Sequence, residues 1–271
     1  RCLVGSEMCI RDRYMTTPKT EQGIYTAVVL DFETGGLDCT RCACTQIAMQ
    51  AVRLDTFEVL GRYANYIAPY DKQPLGGAPK RKVLKTRREI EQENTSEPMD
   101  YEAAALNYTD ITMELLRARG IPLKQVAAEV IDFARKHTLS KGPRYKPVLI
   151  GQNIPFDAGF LQQMMAYAGL LKEFAQVFAG TTDFYGNFQP HYLDTIDLAR
   201  LCFAADPQVT SYKLELVAER LGIELDDAHD ADADVTATRE VVALCSRRLR
   251  QNGDMDISRQ RTPKTRDHFK I

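Results

Sequence analysis

A chain of 271 residues with 44 % apolar side chains is long enough for one large α/β domain with its own core. No apolar run approaches the length of a membrane-spanning helix, which argues against a membrane association. The formal net charge of −2, from 35 basic and 37 acidic residues, excludes a uniformly basic surface of the kind that grips polyanions everywhere. Charge is instead segregated. Acid gathers at Asp226, Asp227, Asp230, Asp232 and Asp234, and base at Lys80–Lys82, Lys85, Arg87 and Arg88, and again from Arg247 through Lys270.

The first residues, Arg1 to Arg13, resemble a translated sequencing adapter, so residues 1–14 are expected to be a non-native leader, with Met15 as a plausible start. Residues 15–250 then form the main domain. Its cysteines, Cys39, Cys42, Cys44, Cys202 and Cys245, show no secreted disulfide framework and fit a reducing, cytoplasmic compartment. Cys39-x-x-Cys42-x-Cys44 offers two readings, three of four zinc ligands or a hairpin tip with free thiols. No second Cys or His pair at zinc spacing favours the first.

In chain order, Ile24 to Phe32 reads as a strand, and Gln46 to Leu54 and Glu58 to Ile67 as two more that alternate and pair antiparallel. Residues 71–98 contain Gly and Pro, then base, then polar residues, and read as an insertion. It is either a solvated surface excursion or an arm that grips phosphate. Pro122 opens an amphipathic helix with Val126, Val130, Ile131 and Phe133 on its apolar side. Pro147 to Gly151 is a buried-type strand, followed by helix from Phe156 to Ala168 and a second helical stretch through Phe178. Tyr192 to Thr195 is a strand leading into a helix to Phe203, and Leu214 to Leu221 is a helix that Gly222 ends. The last helix spans Asp232 to Arg250, and residues 251–271 read as a mobile charged tail. Three meander strands followed by strands alternating with helices predict an α/β fold, a mixed sheet with helices on both faces.

Three fragments carry the chemistry. Asp31-Phe32-Glu33-Thr34-Gly35-Gly36 follows the apolar run Ala27–Leu30. Asn153-Ile154-Pro155-Phe156-Asp157 follows Val148–Ile150, and His229-Asp230-Ala231-Asp232-Ala233-Asp234 heads the last helix. Asp31 and Glu33, two apart on a strand, leave one face together. Clustered carboxylates repel, and divalent cations remove that penalty. The combination predicts a two-metal phosphodiester site with Asp31, Glu33, Asp157 and Asp234 as ligands, and with His229 placed to take a proton from the attacking water. Taken singly, each fragment has a plain reading: a strand-end acid, a helix cap at Asp157, and a loop histidine at His229.

Together these fragments resemble the DEDD family of 3′–5′ exonucleases, histidine subtype, in its epsilon-like and RNase T-like branches. The first motif is matched by Asp31 to Leu37, the second by Asn153, Phe156 and Asp157, and the third by His229, Ala231 and Asp234. Asp230 stands where the tyrosine subtype has its Tyr. Gly151-Gln152-Asn153 and Gly35 depart from the family's usual residues. The resemblance implies a ribonuclease-H-like sheet and two divalent ions, Mg²⁺ or Mn²⁺. It also implies 3′–5′ exonuclease activity on single-stranded 3′ ends, DNA before RNA, with a role in proofreading or repair and a DNA polymerase subunit as partner. Thr34, Gly35, Gly36 and Leu37 would line the terminal-nucleotide pocket, with Gly35 and Gly36 letting the backbone approach the sugar. Asn153 would contact the substrate backbone and Phe156 would stack on a base, whereas the helical spacing of Phe160 points to the core. An RNA exonuclease and a catalytically silent nucleic-acid-binding module are the alternatives.

Overall fold

The computed structural model describes residues 23–73, 97–224 and 230–251. The adapter-like leader, the basic run from Lys80 to Arg88, His229 and the charged tail lie outside the described residues.

Strands β1 (Thr26–Thr34), β2 (Cys44–Arg53) and β3 (Val59–Tyr66) form the antiparallel meander, and β4 (Val148–Gly151) and β7 (Tyr192–Asp194) add to it in parallel. The five-stranded order is β3-β2-β1-β4-β7, which makes β1 the central strand. A central strand is covered on both faces, which explains why Ala27–Leu30 is continuously apolar rather than alternating. The two-residue period of β1 still sorts its side chains. Val28, Leu30 and Phe32 face a core built with α3 (Leu123–Lys136), α4 (Ile154–Ala168) and α5 (Leu171–Val177). Ala27 and Val29 face the opposite side, against Ala231, Val235 and Val242 of α8 (Ala231–Gln251). Asp31 and Glu33 continue that second row and so emerge beside the start of α8.

The other helices are α1 (Ala103–Tyr108), α2 (Met113–Arg119), α6 (Thr195–Cys202) and α7 (Leu214–Leu221). The buried set of α3, Leu123, Val126, Ala127, Val130, Ile131, Phe133 and Ala134, follows the expected helical stripe. Gly222 ends α7 in the left-handed region at φ 73°, as a C-terminal glycine should. α6, α7 and the outer side of α8 share a third core through Ala199, Val217, Ala237, Val241 and Cys245.

Three features differ from the sequence-based expectation. β1 runs on to Thr34, so Glu33 as well as Asp31 lies within the strand. Helices α1 and α2 occupy a stretch that showed no clear period, because α1 buries no residue and α2 buries Leu116 alone. A separate hairpin, β5 (Gly180–Thr182) with β6 (Phe188–Pro190), closes around Gly186 at φ 86°. Its strands are too short to show alternation.

The 71–98 segment leaves and rejoins the fold at one neck. Asp71 and Pro98 form an antiparallel bridge, and Lys72 N–H donates to the Glu97 carbonyl at 2.7 Å. Among the described residues no helix is long and apolar enough to cross a membrane.

Candidate metal-dependent active site

The parallel pairing of β1 with β4 brings the first two fragments together. Val29 pairs with Ile150, so both strands end at the same sheet edge, where ligands collect in α/β folds. Past Gly151 the chain turns through Asn153, whose left-handed backbone (φ 53°) is braced by its N–H donating to Asp194 Oδ1 at 3.1 Å. Helix α4 starts at once and places Asp157 in its first turn. There Asp157 Oδ1 accepts the N–H of Phe32 at 3.0 Å, locking the second fragment onto the first.

The third fragment arrives from the far side of the sheet. Asp234 lies in the first turn of α8, and its N–H donates to the Asp230 carbonyl at 3.0 Å. Gln46 Nε2 donates to Asp230 Oδ1 at 2.8 Å, and Gln50 Nε2 donates to Thr236 Oγ1 at 2.7 Å, so β2 fixes the rotation of this helix. Oxygen atoms of Asp31, Glu33 and Asp234 all lie within 4.8 Å of one another. Asp157 stands outside that trio but acts on it electrostatically. Asp232 points elsewhere, toward Arg62 at 4.0 Å.

Burial, with Asp234 and Asp230 nearby, pushes the Asp31 carboxyl up to about 7. Burial and the charges of Asp31, Asp234 and Asp230 push Glu33 up to about 8. Asp157 is raised well above the ordinary carboxylate range by burial and then by Asp31, against the lowering effect of the Phe32 N–H. Carboxylates held this close repel one another, and an all-oxygen donor set suits a hard divalent ion. The residues present therefore fit a divalent metal ion. Among the described residues no second group of His, Cys, Asp or Glu side chains gathers at such spacing. Cys39, Cys42 and Cys44 are free thiols, and burial holds Cys44 up to about 12, so it stays protonated.

The substrate-side expectations divide. Leu37 is 84 % exposed, three residues past the end of β1. Thr34 is buried and its hydroxyl donates to the Gly36 carbonyl at 2.8 Å, bracing the loop. The two glycines make room for the protein's own chain. A Cβ on Gly35 would stand 2.7 Å from the Asp100 carbonyl oxygen, and one on Gly36 would stand 2.6 Å from Cys42 Sγ. Glu102 N–H closes this contact by donating to the Gly35 carbonyl at 2.7 Å. Asn153 is exposed, and Phe156 is half-buried with its ring 5.0 Å from that of Phe160, which is wholly in the core. Tyr108, at the end of α1, was not singled out from the sequence. It is 63 % exposed, and partial burial, Glu215, Asp234 and Glu33 raise its phenol. A lone tyrosine in an aperiodic stretch carries no signal that could have found it.

The comparisons with known proteins agree with this geometry. The family model RNase_T, described as an exonuclease, matches residues 100–242, a stretch that begins after the first motif and includes the other two. The PolC-type DNA polymerase III of Bacillus cereus is 26 % identical over 213 residues, covering 79 % of this chain and 11 % of that protein. The PolC-type DNA polymerase III of Clostridium perfringens is 29 % identical over 110 residues, covering 41 % of this chain and 6 % of that protein. The chain thus spans only a small part of these curated relatives. Among solved structures, E. coli Exonuclease I in complex with a dT13 oligonucleotide superposes with a TM-score of 0.57 at 22 % identity, covering 85 % of this chain and 43 % of that one. That likeness establishes the ribonuclease-H-like fold. With the family model spanning more than half of the sequence, the chain belongs to the RNase_T exonuclease family.

Proposed function

We propose that the protein is a metal-dependent 3′–5′ exonuclease that hydrolyses DNA from single-stranded 3′ ends. The observation that carries this reading is the convergence of Asp31, Glu33 and Asp234 within 4.8 Å, from a central strand and a helix on its face, with Asp157 pinned beside them. Asp31, Glu33, Asp157 and Asp234 would hold two divalent ions, Mg²⁺ or Mn²⁺, which supply positive charge against the charge that develops on the phosphoryl oxygens.

The protein's own groups do the rest. Asp157 keeps its orientation by accepting the Phe32 N–H, a bond from the backbone of the strand that carries Asp31 and Glu33. His229, one residue before Asp230, is assigned as the base that takes the proton of the attacking water. The water oxygen bonds to phosphorus as the bond from phosphorus to the 3′ oxygen breaks. That 3′ oxygen regains a proton, and a 5′-mononucleotide leaves. Leu37, with Thr34, Gly35 and Gly36 behind it, forms the wall for the terminal nucleotide, and Asn153 and Phe156 lie on the side of Asp157.

DNA is favoured over RNA by the polymerase relatives and by the oligonucleotide complex of the structural neighbour. The same relatives support a proofreading or repair role with a DNA polymerase as partner. The free thiols support a cytoplasmic setting. A silent binding module is disfavoured by the cluster itself, since crowded carboxylates destabilise a fold that has no cation for them.

The test is digestion of 5′-labelled single-stranded DNA and RNA with and without EDTA. The expected result is a ladder shortening from the 3′ end, faster on DNA and abolished by EDTA. Cleavage that ignores EDTA, or none with Mg²⁺ or Mn²⁺, overturns the reading, and faster loss of RNA reassigns the substrate.

A further inference from the structure

We infer that a groove on the β3 edge of the sheet, with Arg62 and Arg119 at its rim, carries the nucleic acid strand 5′ to the nucleotide being removed. This rests on the function proposed above and adds the path of its substrate.

The groove encloses about 450 Å³, and Gln46, Arg62, Tyr66, Arg119 and Asp230 are among the residues that line it. It adjoins the carboxylate cluster by construction of the sheet. Glu33 pairs with Gln46 on β2, and Gln46 pairs with Tyr66 on β3, so one row of residues leads outward from the cluster. Two strand spacings cover roughly 10 Å. Within β3, the two-residue period puts Arg62, Ala64 and Tyr66 on one face, the face of α8, as the Arg62 contact with Asp232 confirms.

The chemistry suits a single strand. Arg119, in the last turn of α2, lies over the Tyr66 ring at 5.5 Å, a cation–π contact that holds the guanidinium at the groove, where it can meet a phosphate. Arg62 and Arg119 are both exposed. The Arg62–Asp232 pair is long and solvent-screened, so exchanging Asp232 for a phosphate costs little. A polyanion that must approach a ring of carboxylates needs cations beside them, and the groove places two next to Asp230. Arginines there would hold a strand in line with the cluster without neutralising it.

The test uses the full chain with R62A/R119A, R62K/R119K and wild type. Binding of a fluorescent single-stranded DNA oligonucleotide is followed by anisotropy in EDTA, which separates this inference from catalysis. R62A/R119A is expected to bind about tenfold more weakly, or about 1.4 kcal/mol. Its log–log salt slope should fall by about 1.4, two phosphates at about 0.7 each. R62K/R119K should keep the wild-type slope. Hydrolysis of the p-nitrophenyl ester of thymidine 5′-monophosphate, which has no strand upstream, should be unchanged in R62A/R119A. Equal affinity and slope in R62A/R119A overturn the inference, as does a lysine pair whose slope falls like the alanine pair's. Loss of ester hydrolysis in step with binding also overturns it, since the effect would then be structural. Weaker binding and a lower slope in R62A/R119A, with no cleavage by the wild type, would instead fail the proposed function and leave the groove assignment supported.

Discussion

The N–H of Phe32 donates to Asp157 Oδ1 at 3.0 Å, a bond between residues 125 positions apart that ties the central strand to the helix on its opposite face from Asp234. It makes Asp157 both part of the charge cluster and part of the fold, and the two roles can be separated. Asp157→Asn keeps an acceptor for Phe32 and should fold like the wild type, yet lose nearly all cleavage. Asp157→Ala should lose cleavage and also about 1–3 kcal/mol of stability, because a buried donor is left without its partner. Asp31→Ala should abolish cleavage too, and relief of carboxylate repulsion should raise its metal-free melting temperature. Turnover assays beside urea melts distinguish these cases, and wild-type turnover in either alanine variant would refute the ligand assignment.

The third motif offers neighbouring aspartates of different fate. Asp234 meets Asp31 and Glu33, whereas Asp232 faces Arg62 across a loose ion pair. Asp234→Asn should therefore cut the rate by orders of magnitude, while Asp232→Asn should keep most of it. Comparing kcat for the two variants checks the register of α8, and the reverse order would mean that the helix is rotated.

The carboxylates also set how stability depends on pH. Asp31 at about 7, Glu33 at about 8 and a raised Asp157 all hold protons in the folded state that the unfolded chain has released. The folded protein binds more protons, so metal-free stability falls as pH rises from the unfolded carboxylate range near about 4 toward about 8. Melting temperature in EDTA should decline over that window. Added Mg²⁺ or Mn²⁺ should restore it most at the alkaline end, where the carboxylates are free to bind. A flat profile in EDTA would show that the cluster is relaxed in solution.

For His229 the expected outcome is kinetic. His229→Ala should lower the rate by about 10²–10⁴, the usual cost of a lost general base. The wild-type rate should climb as rising pH deprotonates the imidazole, since the neutral form accepts the proton, and that limb should flatten in the variant. Metal affinity by calorimetry should stay close to wild type. Full rate with an unchanged profile would make His229 a loop residue without a part in the chemistry.

How much of this was legible in the sequence depends on how local the cause is. Asp31 and Glu33 share a face because strands repeat every two residues, and Asp234 falls in the cluster because α8 begins where expected. Both follow from spacing alone. Phe160 in the core follows likewise from helical period. Asp157 looked like a cap or a ligand, and only the parallel pairing of β1 with β4 reveals that it caps another element's backbone. The glycines were read as room for a sugar, but the atoms they accommodate belong to Asp100 and Cys42, contacts set by distant chain. Tyr108 and the Arg62–Arg119 groove arise from elements that sequence pattern barely marks. His229, central to the motif, lies outside the described residues, so its role stands on sequence spacing and on the placement of its neighbour Asp230.

The neck at Asp71 and Pro98 makes the segment between them a natural port for engineering. A flexible linker added between these two fixed ends adds only about 0.6 kcal/mol of closure cost for each doubling of its length. The splice would also be wired to the chemistry. Lys72 pairs with Asp100 at 3.0 Å, Asp100 also pairs with Arg41 at 2.9 Å, and two residues further on Glu102 clasps Gly35. A ligand-responsive domain placed in that port would act on Lys72 and Asp100 and, through Glu102, on the backbone of Gly35, one residue past the end of β1.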